Sequence, residues 1–311
     1  MKAVIIEQYG GKEQLKMRQV ANPVVKENEV LIEMYATSIN PIDWKIREGY
    51  LKDNMPWPFT IILGWDAAGI IKSIGAKVTA FKIGDRVFTR PNTTPNGTYA
   101  EYISVPEDLV VKIPEKISFE EAASIPLAGM TAWQALVNFG KIKPGDKVLI
   151  HAGAGGVGSL AIQLAKILGA FVATTGSSKN ENLLKSLGAD VVINYEKNNF
   201  QNEIKDYDIV FDTMGGEIQE DSYKVLKKGG VLVSIVQAPN QEKAKEYGIT
   251  AMVFMLETRG SDLKKLADLM ESGKLKPLVG RTFEFSEAGL QEAHALSQSH
   301  HAKGKIIIKI K

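Results

Sequence analysis

Along the first third of the chain, apolar and β-branched residues fall into short runs: Ala3 to Ile6, Glu29 to Thr37, Gly69 to Ile74, Arg86 to Thr89, Tyr99 to Val105 and Leu109 to Lys112. Gly49, Gly64, Gly75, Gly84, Asp85 and Pro91 punctuate them, which predicts a compact, mostly β domain. After Pro114 the pattern changes. Ser118 to Ala123 reads as a capped helix start, with Glu120 and Glu121 in its first turn, and a second helix is expected from Thr131 to Phe139. Five β-type runs follow: Lys147 to His151, Phe171 to Thr175, Val191 to Asn194, Ile209 to Asp212 and Val231 to Val236. Helical stretches such as Ser159 to Leu168 and Asn180 to Leu187 alternate with them, and this βαβ rhythm predicts a doubly wound parallel sheet. A last helix, Asp262 to Glu271, leads past Pro277 to two further β-type runs, Arg281 to Phe285 and Lys305 to Lys309, which break the rhythm. The economical explanation is that the chain returns to its first domain and completes that sheet.

Composition narrows the chemistry. At 311 residues, two domains are the default expectation. Lys and Arg total 38 against 36 for Asp and Glu, so the net charge of +2 offers no general attraction to nucleic acid or an anionic membrane. With no cysteine, a thiolate nucleophile, a disulfide framework and every Cys-containing zinc site are excluded. Met1 to Tyr9 reads as a strand rather than a signal peptide, and no apolar run reaches the length of about 18 residues a membrane span needs. The expectation is a soluble cytoplasmic protein.

The stretch HAGAGGVGSLAIQLAK, His151 to Lys166, carries Gly153, Gly155 and Gly158 in the spacing G-x-G-x-x-G between an expected strand and an expected helix. In that context the spacing predicts a dinucleotide site: Gly153 for the tight turn, Gly155 for close approach of a pyrophosphate, and Gly158 for close packing of helix on strand. The first-turn amides of Gly156, Val157 and Gly158, with the helix dipole, would face the anion. A site for NAD(H) is expected to place Asp or Glu about 20 residues on, at the end of the second strand. Here that strand ends in TTGSSKNEN, so Gly176, Ser177, Ser178 and Lys179 offer hydroxyls and a cation instead. A 2′-phosphate carries about −1.5 to −2 charges, so this chemistry favours NADP(H). The competing reading of Lys179 is a solvated lysine at a helix start, and Glu181 lies close enough to complicate the acidic test.

The sequence resembles the zinc-independent quinone oxidoreductase group of the medium-chain dehydrogenase/reductase superfamily over essentially its full length. The resemblance rests on NPIDWKIREG from Asn40, LGWDAAG from Leu63, GDRVF from Gly84, GTYAEY from Gly97, PLAGMTAWQAL from Pro126, the glycine-rich stretch, GADVVINY from Gly188, and the terminal GKIIIKI. It implies an α/β chain with a GroES-like, mostly β catalytic domain over residues 1–124 and 260–311. A Rossmann NADPH-binding domain over 125–259, a cofactor in the cleft between the two, and a homodimer are also implied. By motif position, Thr131 would lie near the nicotinamide, Tyr195 with Lys179 would border the 2′-phosphate, and Gly215 and Gly216 would line the cofactor cleft. A dimer contact through Gly230 to Val236, pairing edge to edge, is expected on the same ground.

Zinc alcohol dehydrogenases of the superfamily carry Cys in the first motif and G-H-E in the second, where this sequence has Asn40 and Gly64-Trp65-Asp66. The residue set therefore holds no metal site, and His151, His294, His300 and His301 read as core or surface histidines rather than ligands. Alcohol oxidation asks for a stabilised alkoxide, usually on a metal. Hydride addition to a quinone or an enone places charge on a delocalised oxygen and asks only for positioning and hydrogen bonding. The expected activity is NADPH-dependent reduction of a small-molecule quinone or α,β-unsaturated carbonyl, with Asn40 as amide donor and Lys45 as cation near the acceptor oxygen. Structural alternatives stand beside each: Asn40 as a turn cap before Pro41, Asp43 as a helix-start residue, Arg47 as its partner at helical spacing, and Trp44, Trp57, Phe59 and Trp65 as core rather than substrate walls. An alcohol or saturated-carbonyl dehydrogenase, and a non-catalytic NADPH-binding sensor or structural protein, are the alternative functions.

Overall fold

The structure is a computed structural model describing residues 1–311. Its elements begin with β1 (Lys2–Ile6), β2 (Lys16–Gln19), β3 (Glu29–Ile39), α1 (Pro41–Arg47), β4 (Ile61–Ile62), β5 (Ala67–Ile74), β6 (Arg86–Thr89), β7 (Tyr102–Pro106), β8 (Val110–Lys112), α2 (Phe119–Ala123) and α3 (Pro126–Trp133). Then come β9 (Lys147–Ile150), α4 (Gly156–Ile167), β10 (Phe171–Gly176), α5 (Glu181–Ser186), β11 (Val191–Asn194), α6 (Phe200–Glu203), β12 (Tyr207–Asp212), α7 (Gly216–Ser222), β13 (Leu226–Ser234), α8 (Gln241–Tyr247) and β14 (Thr250–Val253). The chain closes with α9 (Gly260–Glu271), β15 (Val279–Glu284), α10 (Glu287–Gln298) and β16 (Lys305–Lys309). Two compact units result: Met1–Ala128 with Thr258–Lys311, and Gly129–Glu257.

In the first unit, one sheet runs β15-β16-β3-β5-β6-β8, with β7 also on β3, and a smaller one runs β2-β1-β4. The last strand, β16, lies antiparallel on β3, with Ile306 opposite Ile39 and Ile308 opposite Thr37. That register carries Lys305, near the carboxyl end, to the start of α1. Val30, Ile32, Met34, Ala67, Ile71 and Val87 fill the core beside β3. Ser118 caps α2 reciprocally with Glu121, whose backbone N–H donates to Ser118 Oγ at 3.1 Å while Glu121 Oε2 accepts from Ser118 N at 2.9 Å. The expected helix over Thr131 to Phe139 differs: α3 ends at Trp133 and a π-helical turn takes Gln134–Phe139. Helix α10, unforeseen in the sequence, starts at Ser286, whose Oγ accepts from Gly289 N, and buries Leu290, Ala293 and His294 at helical spacing.

In the second unit every strand pair is parallel and the order is β11-β10-β9-β12-β13-β14. Counted from its first strand this is 3-2-1-4-5-6, with the topological switch point between β9 and β12. Strand β13 pairs with β12 on one side and β14 on the other, so the edge pairing expected for Gly230 to Val236 has no free edge. Strand β14 holds that edge because it adds one more parallel pair to β13. No helix is long and apolar enough to cross a membrane.

Candidate active site

The glycine-rich turn leaves β9 at the switch point. Its left-handed residue is Ala152, φ +51°, so the tight turn assigned to Gly153 belongs one residue earlier. Gly153 answers to packing: a Cβ there would lie 2.1 Å from Thr174 Oγ1. A Cβ on Gly158 would lie 2.4 Å from the Ala152 carbonyl oxygen and 2.8 Å from Gly153 Cα, so the helix start sits tight on the turn. Gly155 is different, since its Cβ would meet only the Ala152 oxygen, at 3.3 Å, and otherwise open space. The first backbone bond of α4 runs from Ser159 N to Gly155 O at 3.0 Å, leaving the amides of Gly156, Val157 and Gly158 ahead of the ladder. An open face beside three unladdered amides at a helix N-terminus fits a dinucleotide pyrophosphate.

At the end of β10, Gly176 pairs with Asn194 of β11, and Tyr195 N donates to the Gly176 carbonyl at 3.3 Å. Gly176, Ser177, Lys179 and Tyr195 are thereby brought together, with Ser177 buried, Lys179 exposed and Tyr195 58% exposed. Glu181 is turned to Lys185, 2.7 Å away. Across the switch point Gly215, φ +73°, caps α7, and Asp212 Oδ1 accepts both its N–H and that of Met214 at 2.9 Å. Thr131 is buried in α3. His151 is buried at the end of β9. Ser222 Oγ spends its proton on the Ile218 carbonyl, so His151 Nε2 donates to it at 2.9 Å. Burial takes the imidazole down to about 4, against the charge of Asp212.

Around α1 the polar groups form a closed cluster. Asn40, only 2% exposed, donates from Nδ2 to Asp66 Oδ2 at 2.7 Å and accepts at Oδ1 from the Lys305 ammonium at 2.5 Å. Asp66 also accepts from Ser38 Oγ at 2.5 Å and from Leu127 N at 2.7 Å. Lys305, buried, is 3.5 Å from Asp66, and burial holds its pKa below the usual lysine range against the pull of Asp66 and Asp43. Asn40 thus keeps one amide N–H beyond those bonds, rather than a freely presented side chain.

Asp43 does cap the helix, its Oδ2 accepting from Asn40 N at 2.8 Å, but Arg47 is not its partner. Arg47, fully buried, donates to Gly10 O, Glu48, Gln298 and His294 Nδ1. A guanidinium only donates, so His294 Nδ1 accepts and its Nε2–H is given to Tyr99 Oη at 3.1 Å. The Tyr99 hydroxyl then donates to Asp43 Oδ2 at 2.7 Å. Burial takes His294 down to about 3, with the Arg47 charge adding, and raises Asp43 to about 7 against its two hydrogen bonds.

Lys45 stands apart from this cluster, half-buried, its Nζ 5.7 Å from the Trp44 ring centroid and in no ion pair. Trp44 and Trp65 are core, while Trp57 packs 6.0 Å from Trp65 and Phe59 is 42% exposed against Tyr9. Sequence reading missed Lys305 and the buried Arg90, which donates to Pro91 O, Thr93 and Thr258, and it read His294 as a core or surface histidine without foreseeing its partners. Lysine heading an apolar strand was the one local signal for Lys305. A cleft of about 540 Å³ between β8 and α9, lined by Phe81, Val111, Lys112, Lys264 and Asp268 among others, holds none of these residues.

Comparison with known proteins adds a family context. The alcohol dehydrogenase GroES-like domain matches residues 26–115, and the family described as zinc-binding dehydrogenase matches residues 187–308. The chain is 37% identical, over 99% of its length and 79% of the relative's, to the chloroplastic NADPH-dependent alkenal/one oxidoreductase of Arabidopsis thaliana. The quinone oxidoreductase structure from Coxiella burnetii superposes with a TM-score of 0.92 at 38% identity, covering 100% of this chain and 99% of that one. The Escherichia coli quinone oxidoreductase complexed with NADPH superposes at 0.90 with 29% identity, covering both chains completely at 100%.

Proposed function

This chain belongs to the zinc-independent quinone oxidoreductase group of the medium-chain dehydrogenase/reductase superfamily, and on that premise we propose that it reduces quinones and α,β-unsaturated carbonyls with NADPH. The observation that carries the reading is the Gly155 cradle, open at the switch point of a 3-2-1-4-5-6 sheet. When bound, NADPH supplies the hydride. Gly155, Gly156, Val157 and Gly158 would hold its pyrophosphate, with Gly153 packing the turn against Thr174. Gly176, Ser177, Lys179 and Tyr195 would hold its adenosine end, and Thr131 and Gly215 the remainder. On the catalytic unit, the chain's own task is to hold negative charge on the acceptor oxygen until solvent protonates it. Lys45 is assigned that role, because its ammonium has no carboxylate partner, and Asn40 offers the amide N–H left over from Asp66.

The test is NADPH consumption over a panel of 2-alkenals, cyclic enones, and ortho- and para-quinones. Turnover of enones or quinones is expected. Oxidation of simple alcohols alone, or tight NADPH binding with no turnover, would overturn the reading in favour of an alcohol dehydrogenase or a sensor. The homodimer belongs to the same proposal, through β14 rather than β13. Its support is that β14 ends the sheet, with Val253 at its last position 44% exposed and Met255, two residues beyond, 68% exposed. Sedimentation of a Val253→Lys variant as monomer is the expected result.

A further inference from the structure

The donors at the end of β10 already hold an anion. Ser178 gives both its backbone N–H, at 3.1 Å, and its hydroxyl, at 2.7 Å, to a single oxygen, Oε2 of Glu196. Glu196 belongs to the loop after β11, where its own N–H is fixed by Asn194 Oδ1 at 2.9 Å. These two bonds from Ser178, with Lys179 and Lys197 nearby, hold its carboxyl below the usual range. Asn180 Nδ2 donates to Ser177 Oγ at 3.2 Å, so the neighbouring serine is already engaged, and Tyr195 stands exposed alongside.

In a sheet of this order the adenosine ribose is met at the end of the second strand. A carboxylate there accepts a hydrogen bond from a ribose 2′-hydroxyl and repels a 2′-phosphate. The carboxylate sought there from the sequence, in the residues directly after β10, is supplied in space by the next loop. We propose that Glu196 sets the cofactor preference of this protein. It receives the 2′-hydroxyl of NADH in place, and it must swing off Ser178 before the 2′-phosphate of NADPH takes the same two donors together with Lys179. The balance between NADH and NADPH binding therefore rests on one exposed, displaceable side chain. The inference rests on the reading that places the adenosine end at Gly176 to Lys179.

Dissociation constants for NADPH, NADH, 2′-AMP and 5′-AMP, measured by fluorescence titration and calorimetry on the full chain, test it without turnover. For Glu196→Gln the expected result is NADPH and 2′-AMP bound about tenfold more tightly and NADH about threefold more weakly, the scale of an exposed, screened charge. Glu196→Ala, which frees both Ser178 donors, moves them in the same directions. Equal effects on NADPH and NADH, or none, would overturn the role of Glu196 if Ser178→Ala and Lys179→Met still weaken 2′-AMP. If those two variants leave 2′-AMP unchanged, the placement of the phosphate itself falls, and the proposal with it.

Discussion

The glycine turn at Gly155 and the polar cluster at Asn40 treat charge in opposite ways. The turn is built from backbone: amides ahead of a helical ladder, an open face at one glycine, and almost no side-chain chemistry. In the cluster, side chains gathered from three distant stretches bond to one another, Ser38 and Asn40, Asp66, and Lys305 leaving few donors unspent. An open backbone cradle waits for a ligand, whereas a closed side-chain cluster holds its own parts in place. The difference teaches where variants should cost stability and where they should cost binding.

The largest expected effect is at Lys305. Lys305→Met strands Asp66 as a buried carboxylate and should lower the unfolding free energy by about 3–5 kcal/mol, whereas Lys305→Arg should cost much less. Urea unfolding measures both, and equal small losses would show that the cluster is not held by this charge. Within the turn, Gly158→Ala should cost about 1–3 kcal/mol through its backbone clash. Gly155→Ala should leave stability within about 1 kcal/mol yet weaken NADPH roughly tenfold. If both variants behave alike, the turn is not divided into a packed and an open side.

The pH dependence of stability sharpens the contrast further. Folded His294 and His151 titrate at about 3 and about 4, below their ordinary 6.5, so the unfolded chain binds more protons in between. The stability they contribute is complete above pH 6.5 and is lost as pH falls toward those values. Asp43, raised from 3.8 to about 7, works the other way: its contribution is lost as pH rises through about 7. Two protons against one leave unfolding free energy rising with pH between about 4 and 6.5. His294→Gln, able to keep both hydrogen bonds, should remove about one proton from that slope. An unchanged slope would mean that His294 does not titrate between the two states.

The smallest effect on stability, within about 0.5 kcal/mol, is expected for Lys45→Met, because the ammonium has no ion pair to lose. Its turnover on enones should nonetheless fall by about tenfold or more, with NADPH affinity little changed. Unchanged turnover at saturating substrate would remove Lys45 from the chemistry.

The glycine turn was legible because its parts are contiguous: spacing, flanking strand and flanking helix sit within one short stretch. Even there, the left-handed residue proved to be Ala152, since backbone dihedrals depend on how the turn seats against Thr174 and Thr175. The cluster was half legible. NPIDWK announced Asn40, whereas LGWDAAG marked Asp66 only as part of the segment that stands in place of a zinc-ligand motif, and Lys305 lies 265 residues beyond Asn40 in a run that reads simply as strand. Glu196 escaped because the carboxylate was sought directly after β10, whereas it comes 18 residues beyond Ser178 from a different loop.

By itself the sequence determined the periodicities, and so a mostly β unit and a parallel βαβ unit, together with the glycine spacing that needs no distant partner. It also determined that no cysteine is present to bind zinc. Only the tertiary structure decided which charges meet: Lys305 against Asn40 and Asp66, His294 between Arg47 and Tyr99, and Glu196 on Ser178. The reason is physical. Local backbone preference is written in neighbouring residues, whereas the pairing of buried charges depends on strand register and helix packing, which bring together segments that carry no mark of one another.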